Sequence, residues 1–152
     1  MICLIQRVIS SEVTISEKFF SKINKGILIL LGIHKNDTNS DLDYIVKKTT
    51  NLRIFEDQKK NMNLSIQDIN GEILIVSQFT LCAETKKGRR PSFINAAKPK
   101  EAKKLYDKVI EKFRKMNLKV ETGQFGENMN VNLVNQGPVT IIINSKDNKN
   151  EN

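Results

Sequence analysis

The 152-residue chain predicts a single α+β domain, a mostly antiparallel, barrel-like β-sheet with two main helices. Three observations lead there. Short β-branched apolar runs recur along the chain, separated by Asn-, Gly-, Ser- and Pro-containing turns. Only two stretches, residues 42–50 and 99–116, carry apolar residues at helical spacing. No linker or internal repeat divides the chain, and its length suits one domain with a full core.

The elements follow in order. Ile2 to Val8 reads as the first strand, Ser10-Ser11 as a turn and Glu12 to Ser16 as a second strand, together a hairpin. The unbroken apolar run Gly26 to Ile33 suits a strand buried on both faces. Asn36-Asp37-Thr38-Asn39-Ser40 offers several N-caps, and Leu42, Ile45 and Val46 then keep a helical period to about Thr50. Leu52 to Phe55 returns to strand character before a polar turn through Asp57 to Asn61. An Asn70-Gly71 turn introduces the strongest central strand, Glu72 to Leu81. A basic loop, Thr85 to Pro91, comes next. Pro99 then opens the second helix, whose apolar face (Ala102, Leu105, Tyr106, Val109, Ile110, Phe113) runs to about Met116. Leu118 to Thr122, Met129 to Val134 and Val139 to Asn144 complete the strands. The domain thus spans 1–144, and the polar run 145–152 is expected to fray.

Composition narrows the function. A net charge of +8 suggests attraction to polyanions, although the lysine-rich stretch Lys98 to Lys115 also reads as a solvated helix face. Cys3 and Cys82 form neither a disulfide framework nor a metal-ligand spacing, and a single histidine, His34, excludes a multi-His metal centre. The expectation is therefore no metal and no cofactor. The run Ile27 to Ile33 is far short of membrane-spanning length, so we expect a cytosolic chain with no membrane partner. There is no Gly-rich phosphate loop, which argues against nucleotide triphosphate chemistry.

Two segments concentrate small polar and backbone groups at strand ends: Ser77-Gln78-Phe79-Thr80-Leu81 and Asn135-Gln136-Gly137-Pro138-Val139-Thr140. A hydroxyl without a nearby base is a weak nucleophile, whereas backbone N–H groups can stabilise an oxyanion with no titratable partner. Ser77 and Thr80 can equally well serve only to satisfy strand-end hydrogen bonds. In the second segment a glycine lets the backbone approach a ligand closely, and the X–Pro bond can be cis at low cost. A cis bond would point the Gly137 and Pro138 carbonyls together as an acceptor pair for an ammonium group. Phe125 and Met129 are candidates for a wall, or simply for core.

These segments resemble the signature of the D-aminoacyl-tRNA deacylase family. The resemblance runs from Met1 to about Asn144 and includes Gln6-Arg7-Val8, Asn51-Leu52-Arg53-Ile54-Phe55, Gly88 with Arg90-Pro91-Ser92-Phe93, and Thr122-Gly123 with Phe125-Gly126 and Met129. Two positions depart from it: Glu127 stands where the family commonly has a small residue, and Gln136 where Asp is frequent. The resemblance implies the family's fold and a homodimer in which Gly137-Pro138 of one subunit enters the partner's pocket. It implies hydrolysis of the ester between a D-amino acid and the terminal adenosine of tRNA, and weak defence against glycyl-tRNA. The implied catalytic residues are Ser77, Gln78, Phe79 and Thr80, and the implied substrate-binding residues are Gly137, Pro138, Phe125 and Met129. Lys86, Lys87, Arg89 and Arg90 would grip tRNA phosphates. Two mechanisms stay open: activation of water by a ribose hydroxyl of the substrate, and covalent attack by Thr80.

Overall fold

The structure, a computed structural model, describes residues 1–147. The first strand, β1 (Ile2–Ile15), is longer than the sequence suggests and has no turn at Ser10-Ser11. Ser11 faces inward there and donates its hydroxyl to the Asn132 carbonyl (2.9 Å), so its polarity is satisfied within the sheet. The reversal falls instead at Ser16 and Glu17, both at positive φ, before β2 (Lys18–Ile23). Two successive left-handed residues match the twist of a tight hairpin.

β3 (Gly26–Gly32) lies antiparallel to the first half of β1 and parallel to β6 (Glu72–Ser77), which is in turn parallel to β7 (Val120–Thr122). A two-stranded appendage, β4 (Phe55–Glu56) with β5 (Met62–Leu64), carries the polar turn at Asp57. Leu52–Ile54 are therefore mostly connector, not strand. The last two expected strands are one: β8 (Asn130–Asn144) runs antiparallel to β1 along nearly its whole length. The expected α+β class holds, with parallel pairing confined to the β3-β6-β7 half. On the far side Ser21 Oγ donates to the Thr122 carbonyl (2.8 Å), where β2 meets β7 and the sheet nearly closes into a barrel.

The two-residue period of the strands divides the core. Leu28, Leu74 and Val76 join Val8, Val13 and Ile23 inside the barrel. Ile27, Ile29, Ile73 and Ile75 face the opposite way, against α1 (Asn39–Asn51) and α2 (Pro99–Arg114). α1 is capped at Thr38, whose backbone N–H donates to Asp41 Oδ2 (2.9 Å). α2 has Pro99 in its first turn and buries Tyr106, Val109, Ile110 and Phe113.

Met1 and the Ser145-Lys146 segment meet in a buried ion cluster. The Met1 ammonium donates to Asp37 Oδ1 (2.6 Å) and Ser145 Oγ (2.8 Å), Ser145 donates to Asp41 Oδ1 (2.8 Å), and Lys146 bridges both carboxylates. The tail expected to fray from Ser145 is thus tied down at its first two residues, because their polar groups complete a buried network. The rest of that expectation, residues 148–152, lies outside the described residues.

Candidate active site

The expected central strand Glu72 to Leu81 stops at Ser77. The chain then turns into one turn of 3₁₀ helix, Phe79–Cys82. Two contacts set this corner. The Gln78 N–H donates to the Leu31 carbonyl (2.8 Å), extending the β3 pairing by one residue. At Gly32 a Cβ would stand 2.9 Å from the Leu81 Cβ and 3.1 Å from the Gln78 carbonyl oxygen, so only glycine lets the turn sit down on the end of β3. The first hydrogen bond of the turn runs from Leu81 N–H to the Gln78 carbonyl (3.2 Å), which leaves the Phe79 and Thr80 N–H groups without an acceptor inside the turn.

Beside this corner opens a cleft of about 570 Å³. Ser77, Gln78 and Phe79 form one wall, Phe125 and Met129 another, and Phe93, Ala96, Ala97 and Pro99 a third. The third wall is docked on the end of β3 by Ala97 N–H to the Ile33 carbonyl (2.9 Å) and Lys35 N–H to the Asn95 carbonyl (3.0 Å). Phe79 is 57% exposed and meets Phe93 edge-on at 4.9 Å, giving the mouth an aromatic lip. Phe125 packs against Tyr106, whose hydroxyl donates to the Ile75 carbonyl (2.8 Å), so that wall is braced from the core.

Ionisable groups play little part in this lining. Glu127 is the one ionisable side chain among the lining residues. Burial, with Asp37 nearby, pushes the Cys82 thiol up to about 11, so it is no thiolate at neutral pH. Burial, and then the N-terminal ammonium, lowers His34, whose ring is not part of the cleft lining. The Thr80 hydroxyl accepts a hydrogen bond from the Gln78 side-chain amide, a group that cannot take a proton from it. Among the described residues no cluster of three or more His, Cys, Asp or Glu could hold a metal. The free N–H groups of Phe79 and Thr80 at this turn are of the kind that can stabilise a developing oxyanion.

The second segment is built differently and lies elsewhere. Gln6 of β1 faces Thr140 and Val8 faces Asn135, so two steps along β1 oppose five along β8, and Gln136–Pro138 bulge out of the sheet. The Gly137-Pro138 peptide is cis. Asn135 closes the base of the bulge: its Oδ1 accepts the Val139 N–H (2.8 Å) and its Nδ2 donates to the Val139 carbonyl (3.2 Å) and Thr140 Oγ1 (3.1 Å). Arg7 supports it from beneath. Its side chain is only 4% exposed, with Nε donating to the Gln136 carbonyl (2.9 Å) and Nη1 to the Ile54 carbonyl (2.5 Å). Gly137 sits at φ +137°, where a Cβ would be 2.9 Å from Arg7 Nη2 and 2.8 Å from Val139 Cγ2.

The cleft therefore gathers Ser77, Gln78, Phe79, Phe125 and Met129 of the residues expected from the sequence, while Thr80 sits just past its edge. Gly137 and Pro138 are exposed and are not part of the same protomer's cleft. Lys86, Lys87, Arg89 and Arg90 also lie outside it, on an exposed loop closed by reciprocal Glu84–Ser92 backbone bonds. Sequence reasoning gave no role to Arg7, Asn135, Gly32 or Phe93. Arg7 carried a usable signal, since it shares the inward phase of Cys3 and Ile5 on one strand, where an arginine must find buried acceptors.

A barrel carrying a largely apolar cleft edged by Ser77, Gln78 and Asn128, with a separate proline bulge, defines a class of protein, and comparison with known proteins specifies it. The profile of the D-Tyr-tRNA(Tyr) deacylase family matches residues 4–144. The D-aminoacyl-tRNA deacylase of Thermosipho melanesiensis is 56% identical over 147 residues, covering 96% of this chain and 98% of that one. The D-aminoacyl-tRNA deacylase of Finegoldia magna is 55% identical over 143 residues, covering 94% and 97%. Among solved structures, a c-Myc DNA unwinding element binding protein superposes with a TM-score of 0.89 at 40% identity, covering 94% of this chain and 97% of its own. A probable eukaryotic D-amino acid tRNA deacylase shares the fold, with a TM-score of 0.81 at 18% identity over 93% of this chain and 97% of its own. This chain belongs to the D-Tyr-tRNA(Tyr) deacylase family.

Proposed function

We propose that this protein hydrolyses the ester joining a D-amino acid to the terminal adenosine of tRNA, and that it acts as a homodimer in which each Gly137-Pro138 bulge completes the partner's cleft. The observation that carries this reading is the bulge itself. It is exposed, held by Arg7 and Asn135, and set apart from the cleft of its own protomer. A backbone feature so firmly held and so outward is suited to a site on a second copy, and a two-fold axis then makes two equivalent sites.

In this site the Gly137 and Pro138 carbonyls accept from the substrate's α-ammonium, and the aromatic lip of Phe79 and Phe93 receives the adenosine. The Phe79 and Thr80 N–H groups meet the oxyanion as water adds to the ester carbonyl. The carbon–oxygen bond to the ribose then breaks, and the ribose oxygen leaves with a proton. A ribose hydroxyl of the substrate assists the attacking water; the lack of any base beside Thr80 supports this over covalent attack. With amine, carbonyl and Cα pinned, a D side chain points out to solvent while an L side chain meets the bulge, which is selection by rejection. Glycine, with nothing to reject, is the weak point. Lys86, Lys87, Arg89 and Arg90 offer charge to tRNA phosphates, and the cytoplasm, where tRNA is charged, is the working compartment.

Matched D-tyrosyl- and L-tyrosyl-tRNA test the reading. Loss of the D ester with the L ester spared is the expected result. Loss of both refutes the filter, and binding without loss of either makes the chain a nucleic-acid-binding module. Sedimentation of the purified protein as a monomer, with activity intact, would refute the shared site.

A further inference from the structure

We infer that the outward face of α2 is the strip on which the phosphate backbone of the tRNA acceptor arm lies; this rests on the function proposed above. Lys100, Lys104 and Lys108 follow one another at i, i+4 spacing and are all exposed, forming a row roughly 12 Å long along the helix. Neither Lys100 nor Lys104 is ion-paired among the described residues, and Lys108 reaches only the Asn39 amide (3.1 Å). Lysines elsewhere on this helix are neutralised: Lys103 by Asp107, and Lys112 by Asp43 of α1.

Helix stability does not explain the row. Like charges at i, i+4 oppose the helix, and cations in the first turn oppose its dipole, yet Lys98 and Lys100 stand at that end. The position does suit a polyanion. Pro99 and Ala102, in the first turn of α2, are part of the cleft wall, so the row begins at the end of the helix that borders the cleft and runs away from that end along the outward face. A tRNA whose 3′ end enters the cleft can then lay its next phosphates on lysines held by a rigid element. Such contacts position the RNA without reading its sequence.

The test uses end-labelled, uncharged tRNA in a binding titration at 50 to 200 mM salt, with the intact protein and a K100Q/K104Q/K108Q variant. The substitutions lie on an exposed face, and a K100R/K104R/K108R variant controls for side-chain loss. The Gln variant should bind roughly tenfold or more weakly at the lower salt, and the slope of log affinity on log salt should fall by about two to three. The Arg variant should keep both. In parallel, single-turnover hydrolysis of D-tyrosyl-tRNA by the Gln variant should be unchanged at saturating enzyme and slowed only below saturation. Unchanged affinity and slope in the Gln variant, or no rescue by arginine, overturns the strip. If the unsubstituted protein leaves the D ester intact, the proposed function fails, and the binding titration still decides the strip.

Discussion

The two segments that carry the proposed chemistry are held in opposite ways. The Ser77–Cys82 corner is seated chiefly by packing on Gly32, with one backbone bond from Gln78 to Leu31, and three walls of its cleft come from one protomer. The Gln136–Pro138 bulge is seated by hydrogen bonds from Arg7 and Asn135, and it is exposed and not part of that cleft's lining. A packed corner fixes where a reaction happens. A bulge held from beneath can be presented to another molecule, so under the proposed function the chemistry and the choice of substrate should be separable by mutation.

The largest expected effect falls on the corner. Gly32→Ala should push the 3₁₀ turn off β3 and slow hydrolysis of D-tyrosyl-tRNA on the order of 100-fold in single-turnover assays, with the D/L preference of the residual activity kept. A variant that lost preference as well as rate would show that the two regions are not separable. The bulge should behave in the converse way. In Gly137→Ala the new Cβ meets Arg7 and Val139, and attack on L-tyrosyl-tRNA should rise on the order of tenfold with D hydrolysis changed only a few-fold.

Thr80→Ala sharpens the chemistry of the corner itself. A positioning hydroxyl predicts a loss of about tenfold or less, whereas a covalent nucleophile predicts roughly 10⁴-fold or more, so one single-turnover measurement separates them.

The smallest effect on activity, though not on stability, should come from the ion cluster behind the third wall. Burial opposes ionisation of Asp41, but hydrogen bonds from Lys146, Ser145 and Thr38 outweigh it and hold the carboxyl well below the ordinary carboxylate range. A carboxyl depressed in the folded state stabilises above its unfolded pKa, near 3.9, and that stability is lost as pH falls through the lower folded value. The melting temperature should therefore fall steeply below about pH 4. Asp41→Asn should flatten that limb and cost about 2 kcal/mol in urea unfolding at pH 7, because it removes one of the two carboxylates that Lys146 bridges. Hydrolysis at saturating substrate should be unaffected.

Much of this was legible in the chain itself. The apolar, β-branched run Ile2 to Val8, the unbroken run Gly26 to Ile33 and the apolar stripe from Ala102 to Phe113 are local patterns, and each strand or helix appears where its pattern lies. Three of the differences fall where a neighbour overruled a local cue. Ser10-Ser11 has turn composition, but β8 supplies an acceptor for Ser11 and the strand runs on. Phe79 and Leu81 keep a strand-like alternation past β6, but Gly32 offers a seat that turns the chain after Ser77. Gly137-Pro138 looked like a break between two strands, yet Asn135 and Arg7 hold it as a bulge within one.

By itself the sequence determined the α+β class and most of its strands and helices, because burial and backbone preference act over a few neighbouring residues. Only the tertiary structure decided that the corner and the walls at Phe93 and Phe125 share one cleft, and that the bulge stands outside it. Those relations depend on contacts between residues far apart in the chain, such as Arg7 to Gln136 and Ile33 to Ala97, which no local pattern encodes.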